Sequence, residues 1–285
     1  MTEPLVYLIV LSYNGKQLTL DCLSSVLKLN YTNFIVALVD NASTDGSVEA
    51  IKSEHAAELS SGKMILIENV INLGFAGGNN IGIKYAYEKK ADYVLLLNND
   101  TLVDKELLSN MISKCETDEN IGIAGPKIYY QNTPDQIWFA GGEIKLYKGR
   151  SRHIGIRQKD TGQFNTVRKC DYITGCAMLI KRTVVNRVGY LDTVYPMYSE
   201  DADYCFRVKR NGFSMLYIPT GVVWHKISAA TGGQLQWKKI RFRLRSNFIF
   251  LRRYASWYHW ITIPVYLAAD ALRVVFSVGM GRIKN

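Results

Sequence analysis

Amide and carboxylate side chains that could hold a metal-bound phosphate follow one apolar run of the sequence. Asn98-Asn99-Asp100 comes directly after Tyr93-Val94-Leu95-Leu96-Leu97, a run typical of a buried strand. A diphosphate bridged by Mg²⁺ or Mn²⁺ needs hard oxygen ligands, usually one or two carboxylates completed by phosphate and water. Asp100 is therefore a candidate metal ligand. The alternative role, an Asx-turn into the next helix, suits Asp104 better.

Three further predicted strands also end in polar residues. Ser12 and Tyr13 follow the first apolar run, Asp40 follows the second, and Asn69 and Asn72 follow the third. Any one of them has an ordinary structural explanation, because Asn and Asp are common turn formers. The carboxyl ends of parallel strands meet at one edge of a sheet, where ligands bind. Four polar strand ends together therefore predict a ligand site at that edge.

The segment from Asn72 to Asn80 is rich in glycine and is predicted to be a loop that opens a helix. Such a loop could let backbone N–H groups approach a phosphate or a ribose. Formation of a turn without any bound ligand explains the glycines of this segment equally well. The segment lacks the GxGxxG spacing, and no glycine-rich loop follows the first strand, which disfavours a Rossmann dinucleotide site.

Two acidic residues and a histidine in the second half could also take part in chemistry. Glu200 and Asp201 open a predicted helix, where acids commonly stabilise the helix dipole. The functional interpretation is a general base that the helix N-terminus and a nearby cation keep ionised, able to take a proton from a hydroxyl. His225 follows a short predicted strand, and a histidine at a strand end is an ordinary metal ligand when a metal is within reach.

The hydrophobic pattern predicts an α/β protein with a mostly parallel sheet and helices on both faces. Strands are expected at residues 5–11, 34–39, 64–67 and 93–97, separated by helices at 15–29, 43–59 and 78–89. Ser43 or Asp45 is the expected N-cap of the second helix. The later part predicts helices at 104–114 and 200–210, a mobile loop at 149–163, and strands at 121–130, 137–144, 172–180, 215–218 and 222–224.

Several of these segments, in this order, strongly resemble glycosyltransferase family 2, and most of all its bacterial rhamnosyltransferase-like branch. They are Val39 to Ser47, Asn72 to Ala76, Asn98 to Asp100, Thr174 to Ala177, and Glu200-Asp201. The resemblance covers roughly residues 5–250 and implies the GT-A fold, a Rossmann-like sheet in one catalytic domain. We expect this domain at 1–236, with a nucleotide-binding half at 1–115 and an acceptor half at 116–236.

The resemblance also implies roles for the donor side of the site. Asp40 corresponds to the acid that contacts the nucleotide base, with Ser12 and Tyr13 beside it. Three further residues are expected to border the nucleotide: Asn72, Gly74 and Asn99.

The metal and catalytic roles follow from the same resemblance. Asp100 matches the last acid of the DXD motif, which binds Mg²⁺ or Mn²⁺, although Asn98 stands where the first Asp would be. His225 lies where many members place a further metal or diphosphate contact. Asp201 matches the inverting catalytic base, with Glu200 as its neighbour. Two residues are expected on the acceptor side: Thr174 and Gly175.

The expected activity is transfer of a sugar, L-rhamnose or another hexose, from a UDP- or dTDP-sugar to a glycan or a polyprenyl-diphosphate-linked acceptor. It would serve cell-surface polysaccharide assembly. One base plus one metal explains the residues more economically than the paired carboxylates of a glycosidase. A nucleotidyltransferase would need a basic, glycine-rich loop after the first strand, which Ser12 to Gly15 do not provide. A non-catalytic, membrane-associated scaffold is the other alternative, which Asp100, Asp201 and His225 argue against.

The charge of the chain is concentrated in its last part. The net charge is +10, of which the segment 237–285 supplies +9, since it holds ten basic residues and one acid. Its apolar run at 261–280 contains Pro264, Asp270 and Arg273, too many interruptions for a spanning helix. We expect a basic, aromatic helix on an anionic membrane surface. A helical cap on the catalytic domain or a dimer interface is the alternative, and no nucleic-acid recognition motif accompanies the charge.

The cysteines and the first residues bear on the compartment. The five cysteines are odd in number and include no CxxC pair, which favours a reducing environment. The opening residues lack the basic region of a secretory signal. We therefore expect a cytoplasmic protein, peripheral at the inner face of the cell membrane.

Overall fold

The computed structural model describes residues 3–226 and 234–269. Its strands are β1 (Val6–Ser12), β2 (Phe34–Asp40), β3 (Met64–Glu68), β4 (Tyr93–Asn98), β5 (Thr101–Val103), β6 (Ile121–Tyr130), β7 (Thr133–Phe139), β8 (Gly142–Lys145), β9 (Arg150–His153), β10 (Arg168–Cys170), β11 (Ala177–Lys181) and β12 (Ser214–His225). Its helices are α1 (Lys16–Val26), α2 (Ser47–Glu54), α3 (Ala56–Ser60), α4 (Gly74–Glu88), α5 (Leu107–Cys115), α6 (Arg182–Val188), α7 (Glu200–Arg210) and α8 (Gln234–Tyr254), and residues 259–269 are also helical.

The main sheet has the order β10-β12-β6-β11-β4-β1-β2-β3, with β5 beside β12 and β7 beside β6. The strands β3, β2, β1 and β4 are parallel to one another, whereas β11 is antiparallel to both β4 and β6. The central strands β1 and β4 are nearly continuous apolar runs, as expected for strands covered on both faces. The expected α/β class with a mostly parallel sheet is confirmed.

The glycine-rich segment is helical where a loop was predicted. Helix α4 already begins at Gly74, so Gly78 and Gly82 lie inside it. A Cβ atom on Gly82 would lie 2.5 Å from Cγ2 of Ile9, and one on Gly78 would lie 2.4 Å from Cδ1 of Leu11. These two glycines therefore let α4 pack closely on β1, and their role is packing between helix and strand.

Three predicted elements are divided or shortened. The helix expected at 43–59 is two helices, α2 and α3, and its N-cap is Gly46 instead of Ser43 or Asp45. The strand expected at 137–144 is interrupted at Gly141, whose φ of +92° ends β7 and turns the chain into β8. The strand expected at 172–180 begins only at Ala177.

Other elements were not predicted or were predicted as separate pieces. The loop expected at 149–163 contains β9, which pairs with β8. The strands expected at 215–218 and 222–224 form one strand, β12, with a register shift between Ile218 and Val222. The short β5 and α6 were missed because three to seven residues give too little periodicity to recognise.

Helix α8 packs on the body of the protein through one face. Phe250 and Tyr254 contact Phe206 of α7, and Tyr195 and Ala202 belong to the same buried cluster. Among the described residues, no helix is long and apolar enough to cross a membrane. The predicted apolar run at 261–280 lies partly outside these residues, and the predicted domain boundary at residue 236 stays a prediction.

Candidate active site

The carboxyl ends of β1, β2 and β4 lie side by side. Ser12 is in register with Asp40, and Leu11 is in register with Asn98. Residues with positive φ gather in the turns around this edge: Asn14, Ala42, Gly74, Tyr198 and Ser199. A positive φ is costly for residues other than glycine. Residues with this backbone conformation tend to collect at functional sites.

Asp40 presents a carboxylate oxygen that the fold does not use. The side chain is buried, and its Oδ2 atom accepts a hydrogen bond from the Ser43 amide at 2.9 Å. Its Oδ1 atom is buried without a hydrogen-bond partner among the described residues. Tyr13 is half exposed, so its ring is available for stacking. Ser12 is fully buried, and its hydroxyl lies 2.9 Å from that of Thr19, which points to a structural role.

Asn41, the second polar residue at the end of β2, organises the loop after β3. Its Nδ2 donates to Asn72 Oδ1 at 2.9 Å and to the Gly74 carbonyl at 3.2 Å. Its Oδ1 accepts from Asn69 Nδ2 at 3.1 Å and from the Leu73 amide at 3.0 Å. The side-chain oxygen of Asn72 is thus engaged in shaping the loop. The signal available in the sequence was an asparagine directly after the aspartate at the end of a predicted strand.

Asp100 and His225 are brought together by strand pairing. His225 is in register with Thr101, the residue after Asp100, because β12 pairs with β5. The Nε2 atom of His225 lies 3.0 Å from Oδ1 of Asp100. Their alignment is not that of a hydrogen bond, and in the part of the chain that the structure describes Asp100 Oδ1 and His225 Nδ1 are buried without hydrogen-bond partners.

These two side chains suit a divalent cation that also binds a diphosphate. A carboxylate oxygen and an imidazole nitrogen are ordinary ligands of Mn²⁺ and acceptable to Mg²⁺ with phosphate present. No group of three or more His, Cys, Asp or Glu residues able to hold a metal occurs in residues 3–226 and 234–269. A cation here would therefore take two protein ligands and complete its shell with phosphate oxygens and water. The nearby Asn99 donates to Thr19 Oγ1 at 2.9 Å, which fixes the turn before Asp100.

The surroundings of His225 restrain its imidazole ring. The Trp138 ring meets it edge to face with centroids 4.6 Å apart, and His153 packs on the other part of the same indole at 4.5 Å. Burial opposes charge on His225, but Cys176 and Asp100 outweigh it and raise its pKa to about 10. A cation bound to this imidazole would therefore have to displace a proton, so its binding should strengthen as pH rises. Burial lowers the pKa of His153 to about 4. Trp138 was missed because nothing in the local sequence links it to residue 225.

Asp201 is held in one orientation by backbone amides. Its Oδ2 accepts from the Gly175 amide at 3.1 Å, and its Oδ1 accepts from the Ala202 amide at 2.8 Å. A Cβ atom on Gly175 would lie 2.9 Å from Cζ of Phe75 and 3.7 Å from Cβ of Asp201. The lack of a side chain at Gly175 thus lets its backbone reach Asp201. Thr174 is buried beside it, and the acceptor-side role of both residues stays a prediction.

The two acids at the start of α7 sit in an environment that disfavours charge. Burial raises the pKa of Asp201, and hydrogen bonds from the amides of Gly175 and Ala202 only partly oppose this. Burial thus opposes the expected effect of the helix N-terminus and a nearby cation, which would keep this acid ionised, and that expectation stays a prediction. Burial, followed by the charge of Asp201, raises the pKa of Glu200 to about 8. The Oε2 atom of Glu200 is buried without a partner in the described residues.

Two solved structures share the fold of this chain. One is described as GalNAc-T7 with UDP, GalNAc and Mn²⁺; it has a TM-score of 0.65 and 14% identity, covering 84% of this chain and 48% of that one. The other is the mannosyltransferase PcManGT from Pyrobaculum calidifontis in complex with GDP-Man and Mn²⁺, with a TM-score of 0.62 and 17% identity over 100% of this chain and 81% of that one. The expected GT-A fold is confirmed.

Sequence relatives agree with this fold. The poly-β-1,6-N-acetyl-D-glucosamine synthase of Staphylococcus aureus (strain COL) is 27% identical over 258 residues, covering 90% of this chain and 58% of the relative. The low-salt glycan biosynthesis hexosyltransferase Agl10 of Haloferax volcanii is 27% identical over 153 residues, 50% of this chain and 46% of the relative. The chain thus spans about three fifths of the length of the first of these relatives. The sequence pattern of Glycosyl transferase family 2 matches residues 7–189, and the chain belongs to this family.

Proposed function

We propose that the chain is an inverting, metal-dependent glycosyltransferase that uses a nucleotide-diphosphate sugar. One observation carries the proposal: the short segment 174–176 hydrogen-bonds to Asn98, two residues before Asp100, and also to Asp201. The Cys176 carbonyl accepts from the Asn98 amide at 3.0 Å, and the Gly175 amide donates to Asp201 at 3.1 Å. The strand end that leads to Asp100 and the proposed base are thereby attached to the same turn of the chain.

We infer the donor side of the site from residues whose polar atoms or exposed rings are free to bind a ligand. Asp40 Oδ1 would accept a hydrogen bond from an N–H group of the base, and the Tyr13 ring would stack on the base. Asp100 and His225 would hold Mg²⁺ or Mn²⁺ on the diphosphate. A divalent cation bound there would neutralise the charge that develops on the leaving diphosphate. No carboxylic acid is then needed to protonate the leaving group.

On the acceptor side, Asp201 removes a proton from the attacking hydroxyl group. The acceptor oxygen forms a bond to the anomeric carbon while the bond from that carbon to the diphosphate oxygen breaks. Attack from the face opposite the leaving group inverts the anomeric configuration. The raised pKa of Asp201 makes it a stronger base than an exposed aspartate. Burial and the charge of Asp201 raise the pKa of Glu200, which favours its neutral form and limits the negative charge beside Asp201.

The names of the relatives support a role in glycan assembly. One relative is named a polysaccharide synthase and the other a hexosyltransferase. We infer a UDP- or dTDP-linked sugar, L-rhamnose or another hexose, transferred to a glycan or polyprenyl-diphosphate-linked acceptor at the cytoplasmic face of the membrane. A non-catalytic scaffold is less well supported, because it gives no reason for the buried, unpartnered oxygens of Asp40, Asp100 and Glu200.

The stereochemistry of the product tests this function. Purified protein is incubated with Mn²⁺, a panel of UDP- and dTDP-sugars, and glycan or polyprenyl-diphosphate-sugar acceptors. Release of the nucleotide diphosphate is measured, and the product is examined by proton NMR. We expect the anomeric configuration opposite to that of the donor. Retained configuration would contradict the assignment of Asp201 as the base, and no release with any donor would favour the scaffold.

A further inference from the structure

Helix α8 has an exposed apolar stripe beside its packed face. The packed face carries Ser246 and Phe250, both of which are buried. Apolar residues at spacings of three and four lie on another part of the helix surface and are exposed: Trp237, Ile240, Leu244 and Phe248. Such a stripe on a helix whose other face is already packed is available to bind a partner.

The apolar surface continues beyond α8. Phe248 meets Trp260 with ring centroids 6.1 Å apart, so the stripe runs into the next segment. Large apolar side chains are exposed there as well: Trp257, Tyr258, Ile261, Val265, Tyr266 and Leu267. Trp and Tyr are the residues that favour the boundary between lipid headgroups and hydrocarbon.

The charge beside the stripe selects the kind of partner. The 21 residues of α8 include seven lysines and arginines and no acid. Arg241, Arg245 and Arg252 are exposed and lie next to the apolar stripe at helical spacing. Arginines beside an exposed apolar and aromatic face complement an anionic surface with an apolar interior, which describes an anionic lipid bilayer.

The opening of the candidate active site carries exposed apolar side chains too. Val70 and Ile71, in the loop after β3, are 96% and 65% exposed. Leu73 of the same loop is partly exposed, as are Val194 and Met197 in the segment before α7. Neither the packing of the core nor the donor side uses these side chains.

Contacts place these loops next to α8. A Cβ atom on Gly74 would lie 4.0 Å from the Pro196 carbonyl oxygen, which joins the loop after β3 to the segment before α7. Ser246 of α8 donates to the Met197 carbonyl at 2.8 Å, and the Arg243 guanidinium lies 5.4 Å from the centre of the Tyr198 ring. Ser246 and Arg243 lie on the packed side of α8, so the loop patches adjoin that side of the helix and do not continue the stripe.

We infer that the α8 stripe and residues 257–267 form one membrane-contact surface, with the loop residues 70, 71, 73, 194 and 197 at its border. The opening of the site would then face an anionic bilayer. An acceptor could present its sugar to Asp201 while its lipid part stays in the membrane. This last step rests on the proposed function, whereas binding of the surface to lipid does not.

Vesicle flotation tests the α8 stripe. Wild-type protein and the double variant Leu244→Glu/Phe248→Glu are floated with two kinds of vesicle. One kind is phosphatidylcholine alone, and the other is phosphatidylcholine mixed with anionic phosphatidylglycerol. We expect binding only to the anionic vesicles, weakened at least about tenfold in the double variant, since each side chain loses apolar burial. Ile156→Glu, at an exposed site outside the surface, should bind as wild type does. Equal binding of all three proteins, or no binding by wild type, would overturn the inference.

The orientation of the opening needs a second measurement. Cysteines introduced at Ile71, Leu244 and Ser61 are labelled with an environment-sensitive fluorophore; Ser61 lies at the opposite, amino end of β3. With anionic vesicles, labels at 71 and 244 should shift to the blue, and the label at 61 should not. A shift at 244 alone would overturn the orientation, as would a shift at 61.

Two controls separate this inference from the proposed function. Sedimentation without lipid shows whether the wild-type protein dimerises. If wild type dimerises but binds no vesicles, and the Leu244→Glu/Phe248→Glu variant is monomeric, the partner of the stripe is a second copy of the chain and not a bilayer. Mn²⁺-dependent nucleotide binding is measured on the same variants. Failure of nucleotide binding with intact vesicle binding would contradict the function and leave the surface standing.

Discussion

The carboxyl group of Asp201 is oriented before any substrate binds. Two amide hydrogen bonds, from Gly175 and Ala202, fix its two oxygens. The residues before α7, Tyr198 and Ser199, have φ values of 70° and 68°. A left-handed backbone costs about 1–2 kcal/mol for each such residue, so the fold stabilises this turn against a local preference. Strain of this kind is expected where a side chain must be presented in one orientation.

Replacement of Asp201 by Asn tests its role as the base. The amide side chain has nearly the same size but cannot take the acceptor proton, so transfer should fall by about 10²- to 10⁴-fold. Donor affinity, measured by titration with the nucleotide sugar, should change little. Asp104→Asn is a suitable control because, among the described residues, the Asp104 side chain accepts its one hydrogen bond from the Glu106 amide, in the turn before α5. Donor affinity that falls together with transfer would count against the assignment.

Glu200 makes stability depend on pH in a defined direction. Its pKa rises from 4.5 to about 8 on folding, so ionisation of its carboxyl group is disfavoured in the folded state. The cost is absent below pH 4.5 and grows as pH rises towards 8. Glu200→Gln removes this cost. The free energy of unfolding of the variant should therefore increase relative to that of wild type as pH rises from 4.5 to 8. Denaturation at pH 4.5, 6 and 8 measures the difference, and a constant difference would show that Glu200 is not perturbed by burial.

At the scale of elements, α8 completes the support of α7. Asp203, fully buried in the first turn of α7, accepts from Tyr195 Oη at 3.0 Å and from Arg207 Nε at 2.8 Å. From α8, Tyr254 Oη donates to the same carboxylate at 2.7 Å and Arg253 approaches it at 3.4 Å. A helix outside the residues that match the family pattern thus satisfies a buried charge two residues after Asp201.

Tyr254→Phe removes one donor to this buried carboxylate. We expect a loss of about 1–3 kcal/mol in the free energy of unfolding, because a buried charged group loses a hydrogen bond. Tyr258→Phe is a matched control, since the Tyr258 side chain is half exposed. Denaturant unfolding of the two variants measures the difference. If Tyr254→Phe and Tyr258→Phe were equally stable, α8 would not contribute to the support of α7 in this way.

The elements that the sequence could predict are those with strong local patterns. The buried strands ending at Ser12, Asp40 and Asn98 were predicted within a residue or two, because each is a continuous apolar run followed by polar residues. The Asx-turn at Asp104 was also predicted correctly. Contacts between distant segments left no local signal, so the Gly175–Asp201 hydrogen bond and the packing of α8 on α7 became visible only in the fold.

At the scale of the whole molecule, the site lies where two kinds of strand pairing meet. The parallel strands β1, β2 and β4 supply the donor side, and β12 supplies His225 beyond the antiparallel strand β11. The positive charge lies mainly in the segment 237–285, whose described part borders the opening of the site. The proposed donor site and the proposed membrane contact thus lie in different parts of one molecule and should be separable by substitution.

The proposed function depends on a metal-dependent nucleotide-diphosphate site built around Asp100. Calorimetric titration of purified protein with UDP and dTDP, each with and without Mn²⁺, tests it most directly. We predict micromolar binding of one nucleotide that requires Mn²⁺ and is weakened about 100-fold or more by Asp100→Asn, since the loss of residues that only support a ligand already costs 10- to 100-fold. No binding by a folded sample, or equal binding without Mn²⁺ and in the variant, would contradict the account.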